Sequence, residues 1–197
     1  MLDPNIILQH LRNCEPRILS ALPDEHGVYA LCDHTGEIRY IGVTASIKIG
    51  FKNRICSYHV TGSEGRSHKF SHAYNTGRMW RSRQNYPAQD PLDAKIAKDL
   101  RTQFCRKYCK AVYYKVPTSS SRSDYFRELT ALEAQIHAIA PEKMRDWERL
   151  NFNEELEPTD LVDELLEGLR YGQNKLDALQ RQANLCQKLI AEKRSFT

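Results

Sequence analysis

No segment of this 197-residue chain approaches the ~20 consecutive apolar residues that a membrane-spanning helix needs. The opening stretch, MLDPNIILQHLRNCEPR, lacks a basic run followed by a long apolar one. No secretory leader is therefore expected in it, and a cytoplasmic location is the default expectation. None of the six cysteines forms a Cys-x-x-Cys pair: Cys14, Cys32, Cys56, Cys105, Cys109 and Cys186 are scattered over a chain too long to need disulfide staples. Reduced, structural thiols are expected. Cys105 and Cys109 stand four apart on a helical stretch, but no His or Cys pair elsewhere has the spacing to complete a zinc site. Net charge is small as well, at +4. What remains, 41% hydrophobic and 27% charged residues, describes an ordinary globular chain with room for one domain plus an extension, or two small domains.

The small net charge hides an uneven distribution. Residues 1–44 carry 3 Lys/Arg against 6 Asp/Glu, residues 45–110 carry 14 against 4, and residues 111–197 carry 12 against 15. A middle of +10 between ends of −3 each points to a polyanion-binding face. Within that middle, residues 61–91 interleave cations with rings: Arg66, Lys69, Arg78, Arg81 and Arg83 alternate with Phe70, Tyr74, Trp80 and Tyr86. Cations can reach phosphates and rings can stack on bases. Arg66, Lys69, Arg78, Trp80, Arg81 and Arg83 are therefore candidate DNA contacts. The plainer alternative is a solvated basic loop with a few aromatic anchors into a core.

Residues 27–32 and 38–44 are two short runs rich in β-branched and aromatic residues, joined by Asp33-His34-Thr35-Gly36-Glu37. That pattern predicts a β-hairpin. Gly42 in the second strand predicts a bulge or a close approach by another part of the chain. Residues 4–22 read as helix broken at Pro16, with Ile7, Leu11, Ile18 and Leu22 available for a core. The second half of 45–60 reads as helix, with Phe51, Ile55 and Tyr58 on its apolar face and Arg54 bordering it. A helix opens at Pro91, with Leu92, Ile96, Leu100 and Phe104 every fourth residue. Residues 111–116 read as a third strand, and Ser119-Ser120-Ser121 offers capping oxygens to a helix over 122–138. On that helix Phe126, Leu129, Leu132, Ile136 and Ile139 form the apolar stripe, and Glu133 lies inside it or at its edge. A carboxylate there needs a cation, such as Arg54, or a metal ion. Glu128 faces more polar neighbours. From residue 159 a 3-4 apolar spacing runs to Ile190, interrupted at Gly172. It predicts either a helical hairpin packed on the rest of the chain or a dimerising coiled coil over 160–190.

Gly27-Val28-Tyr29, then Tyr40-Ile41-Gly42, then Arg54 with Tyr58 four residues on, a third strand, and Glu133 in ALEAQIHAIAP form an ordered set. That set resembles the GIY-YIG nuclease family over residues 24–142, with Val28 in place of the usual isoleucine. Arg54 stands twelve positions after Gly42, farther than is usual in the family, which implies a short insertion around 45–50. Val43 also stands where the family often has lysine. The resemblance implies an α/β (α+β) fold with a small three-stranded antiparallel sheet flanked by helices, and a helical C-terminal extension. The expected organisation is an N-terminal helical segment over 1–23, a nuclease-like domain over 24–142 with the basic, aromatic insert 61–91, and a connector and helical extension over 143–197. The implied activity is hydrolysis of DNA phosphodiester bonds, in duplex or branched DNA, with Mg2+ or Mn2+ as cofactor. Glu133 is the implied metal ligand and Arg54 the transition-state cation. Tyr29 or Tyr40 would position or deprotonate the attacking water, and Tyr58 and His59 would orient water or contact phosphate. Two alternatives stand beside it: an inactive nucleic-acid-binding protein of the same fold, and an adaptor acting through its C-terminal helix.

Overall fold

This computed structural model describes residues 2–44, 48–62, 65, 67–82, 89–117, 122–148 and 156–194. Arg66, Arg83, the serine loop before the 122–138 helix and residues 45–47 of the expected insertion lie outside the described residues. The fold is mixed α/β, and the chain divides into two compact units. One comprises Met1–His59 with Arg106–Arg149, and the other Val60–Cys105 with Leu150–Thr197. The insert 61–91 therefore shares a unit with the C-terminal helices.

The first unit is built on a four-stranded antiparallel sheet of order β1-β4-β2-β3. Its strands are β1 (Arg17–Ile18), β2 (Gly27–Cys32), β3 (Ile38–Val43) and β4 (Lys110–Lys115). The hairpin β2–β3 forms as its alternation predicts. Asp33 Oδ1 organises the turn, accepting from Thr35 N–H at 2.9 Å and Glu37 N–H at 3.1 Å. The register irregularity falls at Leu31/Cys32, not at Gly42. The strand beyond the expected three is β1, which pairs Arg17 with Ala111 and Ile18 with Lys110. Two residues leave no periodicity to read in a sequence. Ile18, expected in the core, is exposed there.

One face of the sheet packs on helices α1 (Pro4–Asn13) and α4 (Arg122–Ile139). Val28, Ala30, Ile41, Val43 and Val112 meet Ile7, Leu11, Leu129, Leu132 and Ile136 there. Phe126 and Ile139, at the margins of the α4 stripe, are exposed. β2 is buried on both faces. Its second set, Tyr29 and Leu31, lies on the side where a π-helix over Asn53–Val60 brings Phe51, Ile55 and His59 into the interior.

The second unit contains the short helix α2 (Lys69–Ala73), most of α3 (Pro91–Tyr108), and α5 (Thr159–Leu169) and α6 (Gln173–Arg194). Its core holds Phe70, Tyr74, Trp80, Leu100, Phe104 and Leu179. Leu92, at the open end of α3, is exposed instead. The expected interruption near Gly172 is present. α5 ends with Arg170 in a left-handed conformation (φ 49°), and α6 starts after Gly172, whose carbonyl accepts from Lys175 N–H. α6 buries Leu179, Ala183 and Cys186 within its own unit. No helix among the described residues is long and apolar enough to cross a membrane.

Candidate active site

Antiparallel pairing places Tyr29 directly across from Gly42, and Leu31 across from Tyr40. Tyr29 and Tyr40 thus rise from one face of the hairpin, with ring centroids 6.2 Å apart. Gly42 makes that possible. A Cβ there would lie 2.7 Å from Tyr40 Cε1 and 2.8 Å from Tyr29 Oη, closer than packed atoms tolerate. The close approach expected at this glycine is made by two tyrosine rings.

The π-helix supplies the rest of this face. Its i→i+5 repeat sets Arg54 and His59 on the same side. Tyr29 Oη and His59 Nε2 share a hydrogen bond at 2.7 Å, and Arg54 Nε donates to Tyr29 Oη at 3.4 Å. The His59 ring lies 5.6 Å from both tyrosine rings. Tyr29 and His59 are fully buried. Tyr58 is 39% exposed and stacks under the Arg54 guanidinium, 5.9 Å from the ring centre. The four-residue spacing from Arg54 that the resemblance implies gave Tyr58 precedence over His59. The five-residue repeat instead puts His59 against Tyr29.

Glu133 approaches from α4. It is half-buried and lies beside the Val43 backbone N–H at the edge of β3. Glu128 is exposed. Burial raises the Glu133 pKa, and Glu148 raises it further, against the opposing pull of His137 and Arg54. Burial pushes the Tyr29 phenol up to about 12, even with Arg54 beside it, and lifts Tyr40 well above its ordinary value. For Arg54, burial works against the charge, but Tyr29, Tyr40 and Glu133 outweigh it and the cation is held. Tyr29, Tyr40, Arg54, His59 and Glu133 therefore form one electrostatically coupled group, with Tyr58 at its rim.

Two residues of this group carry no local signal. His137, one turn beyond Glu133, points Nε2 at Ile41 O, 3.0 Å away, and Nδ1 at Glu148 Oε1, 3.1 Å away. Nδ1 and Oε1 are close but not aligned as a hydrogen bond. Glu148 belongs to a stretch that reads as a connector and is a 3₁₀ turn, Glu142–Glu148. Only the four-residue spacing of Glu133 and His137 was visible in advance.

The candidate DNA contacts of the insert lie in the second unit. Trp80 is 1% exposed and Lys69 7% exposed, so the Trp80 ring is packed in a core and not offered to a base. Arg78 Nε is 2.6 Å from Glu157 Oε1, and its Nη1 is 2.5 Å from Asp163 Oδ1. Arg81 is partly exposed, and its backbone N–H is held by Asn75 Oδ1 at 2.8 Å. Arg181 likewise grips Asp93, at 2.7 and 2.9 Å. Part of the basic middle is neutralised by acidic residues from the last third of the chain. The expectation of reduced thiols matches the described cysteines, all of which are free.

Among the described residues, no three His, Cys, Asp or Glu side chains converge as a metal cage. Mg2+ does not require one, because it keeps several waters and is often bound through one or two carboxylates plus substrate phosphate. Glu133, a half-buried carboxylate whose surroundings disfavour its charge, fits that mode of binding. No family model, curated protein or solved structure matches this chain.

Proposed function

We propose that this chain is a divalent-metal-dependent endonuclease of the GIY-YIG type, hydrolysing phosphodiester bonds in DNA. The observation that carries the reading is convergence. Tyr29, Tyr40, Arg54, His59 and Glu133 come from two strands, a π-helix and a distant helix, and meet in one coupled cluster.

Glu133 would hold Mg2+ or Mn2+, and the bound ion would supply Lewis-acid stabilisation of charge on the phosphate and leaving oxygen. Tyr29 remains a neutral phenol near neutral pH. It therefore acts through its hydrogen bonds and not as a preformed phenolate. As the attacking water forms its bond to phosphorus, it gives a proton to Tyr29 Oη. Tyr29 gives its own proton to His59 Nε2, with which it shares a 2.7 Å hydrogen bond. The bond from phosphorus to the leaving oxygen breaks, and that oxygen takes a proton from solvent. Arg54 donates to Tyr29 Oη in the resting site and opposes the negative charge that accumulates on the pentavalent phosphorus. Exposed Tyr58, stacked on Arg54, is placed at the rim to meet the substrate.

The test is supercoiled-plasmid cleavage by purified protein with Mg2+, Mn2+ or EDTA, beside Glu133→Ala. Metal-dependent nicking that vanishes in the variant is the expected result. Absence of cleavage by the wild type on plasmid, single-stranded and branched DNA would overturn the reading.

A further inference from the structure

β3 is the last strand of the sheet, so one side of its backbone faces no other strand. Thr44 N–H points inward, to Gly27 O at 3.0 Å. Strand polarity alternates, so the Val43 N–H and the Ile41 C=O point outward. Left bare, that edge would carry unpaired backbone groups beside a buried site. Helix α4 and the 3₁₀ turn Glu142–Glu148 lie along it. His137 donates Nε2–H to Ile41 O at 3.0 Å, and Glu133, one helical turn earlier, lies beside the Val43 N–H. The two side chains follow one another along α4 as the two backbone groups do along β3, which sets how α4 docks on that edge.

His137 can cap Ile41 only while Nε2 carries a proton and the ring keeps its plane. Its other nitrogen lies 3.1 Å from Glu148 Oε1. Glu148 stands on the 3₁₀ turn whose Met144 and Trp147 are buried in the same unit, so its own position is anchored. Arg145 Nη1 lies 3.7 Å from its second oxygen.

We propose that His137 and Glu148 are positioning residues: Glu148 orients the His137 ring, His137 fixes the register of α4 on the open edge of β3, and that register holds Glu133 where it faces Arg54 and the tyrosines. The role assigned to Glu133 rests on the nuclease reading above. The clamp on the strand edge does not.

The experiment uses the full-length protein without DNA and has two readouts: Mn2+ affinity by calorimetry, and exchange of the Val43 amide hydrogen by NMR. Glu148→Ala should weaken Mn2+ binding by about 10- to 100-fold, the usual effect of removing a partner that orients a metal site, and speed Val43 exchange. Glu148→Gln should stay near wild type, because its amide can donate to Nδ1 of a neutral ring. His137→Gln, which keeps a donor at the Nε2 end, should outperform His137→Leu in both readouts. Glu148→Gln failing as badly as Glu148→Ala would mean that Glu148 acts through its charge, and would overturn the positioning role. Wild-type exchange and affinity in Glu148→Ala would overturn it too. Faster Val43 exchange in Glu148→Ala, with no Mn2+ binding in wild type, would uphold the clamp and leave the metal role of Glu133 to the plasmid assay.

Discussion

Replacing Tyr29 by Phe tests the centre of the site through its electrostatics. At pH 8 the variant loses the hydrogen bonds of the phenol oxygen. His59 Nε2 loses its partner at 2.7 Å, and Arg54 Nε loses its acceptor at 3.4 Å. Orphaned buried polar groups of this kind cost about 1–3 kcal/mol. The phenol's pKa is raised from 10.0 to about 12 in the folded protein. A raised folded-state value means that the stabilisation is complete below the unfolded value and is lost as pH climbs through the folded one. The window is therefore pH 10 to 12, and the full loss is about 3 kcal/mol. At pH 11, halfway through, wild type should have lost about 1 kcal/mol relative to Tyr29→Phe. Urea unfolding of both proteins at pH 8 and pH 11 measures the gap, and other tyrosines cancel in the difference. A gap that does not narrow between those pH values would refute a buried, neutral Tyr29, and with it the proton route from water through Tyr29 to His59.

Glu133→Gln should abolish cleavage yet raise the melting temperature of the metal-free protein at pH 7. Its carboxyl pKa is raised above the ordinary 4.5, so the ionised form costs stability above that pH, and an unchanged or lower melting temperature would contradict that cost. Gly42→Ala should destabilise by about 1–3 kcal/mol through overpacking against Tyr29 and Tyr40, with cleavage falling alongside; thermal denaturation and plasmid nicking check it. Arg78→Ala should lower stability, since Glu157 and Asp163 lose their partner, but should leave the salt dependence of DNA binding unchanged; a shallower salt slope in filter binding would restore Arg78 as a phosphate contact. His59→Ala should cost about 100-fold or more in single-turnover cleavage, and Tyr58→Ala only a few-fold; the reverse order would refute the proton transfer to His59.

The hairpin was legible because alternation and turn chemistry agree over 27–43, and α4 because its stripe of Leu129, Leu132 and Ile136 is regular. β1 was not, because two residues paired by a distant strand leave no local trace. The basic, aromatic run 61–91 was only partly legible for a related reason. Composition counts the charge on Arg78 but cannot see that Glu157 and Asp163 meet it from far along the chain, nor that Trp80 points into a core. A segment's net charge describes a surface only when its partners are also local. His137 and Glu148 stayed hidden because their meaning comes from the β3 edge, which exists only once the sheet is assembled.

The π-helix carries the largest consequence for reading such a site from sequence. Arg54 stacks on Tyr58, four residues on and at the surface, while His59, five residues on, is buried against Tyr29. That exchanges the Tyr58 phenol for an imidazole next to Tyr29. The exchange changes the chemistry, because a phenol near neutral pH offers Tyr29 no base, whereas an imidazole nitrogen accepts its proton directly. π-helical turns are rare and concentrate at functional sites. Here Ile55, His59 and Val60 of the π-helix are all buried, as is Phe51 just before it. The same packing that selects the repeat selects the residue that faces Tyr29, so the identity of the proton acceptor is set by the core on which the π-helix rests.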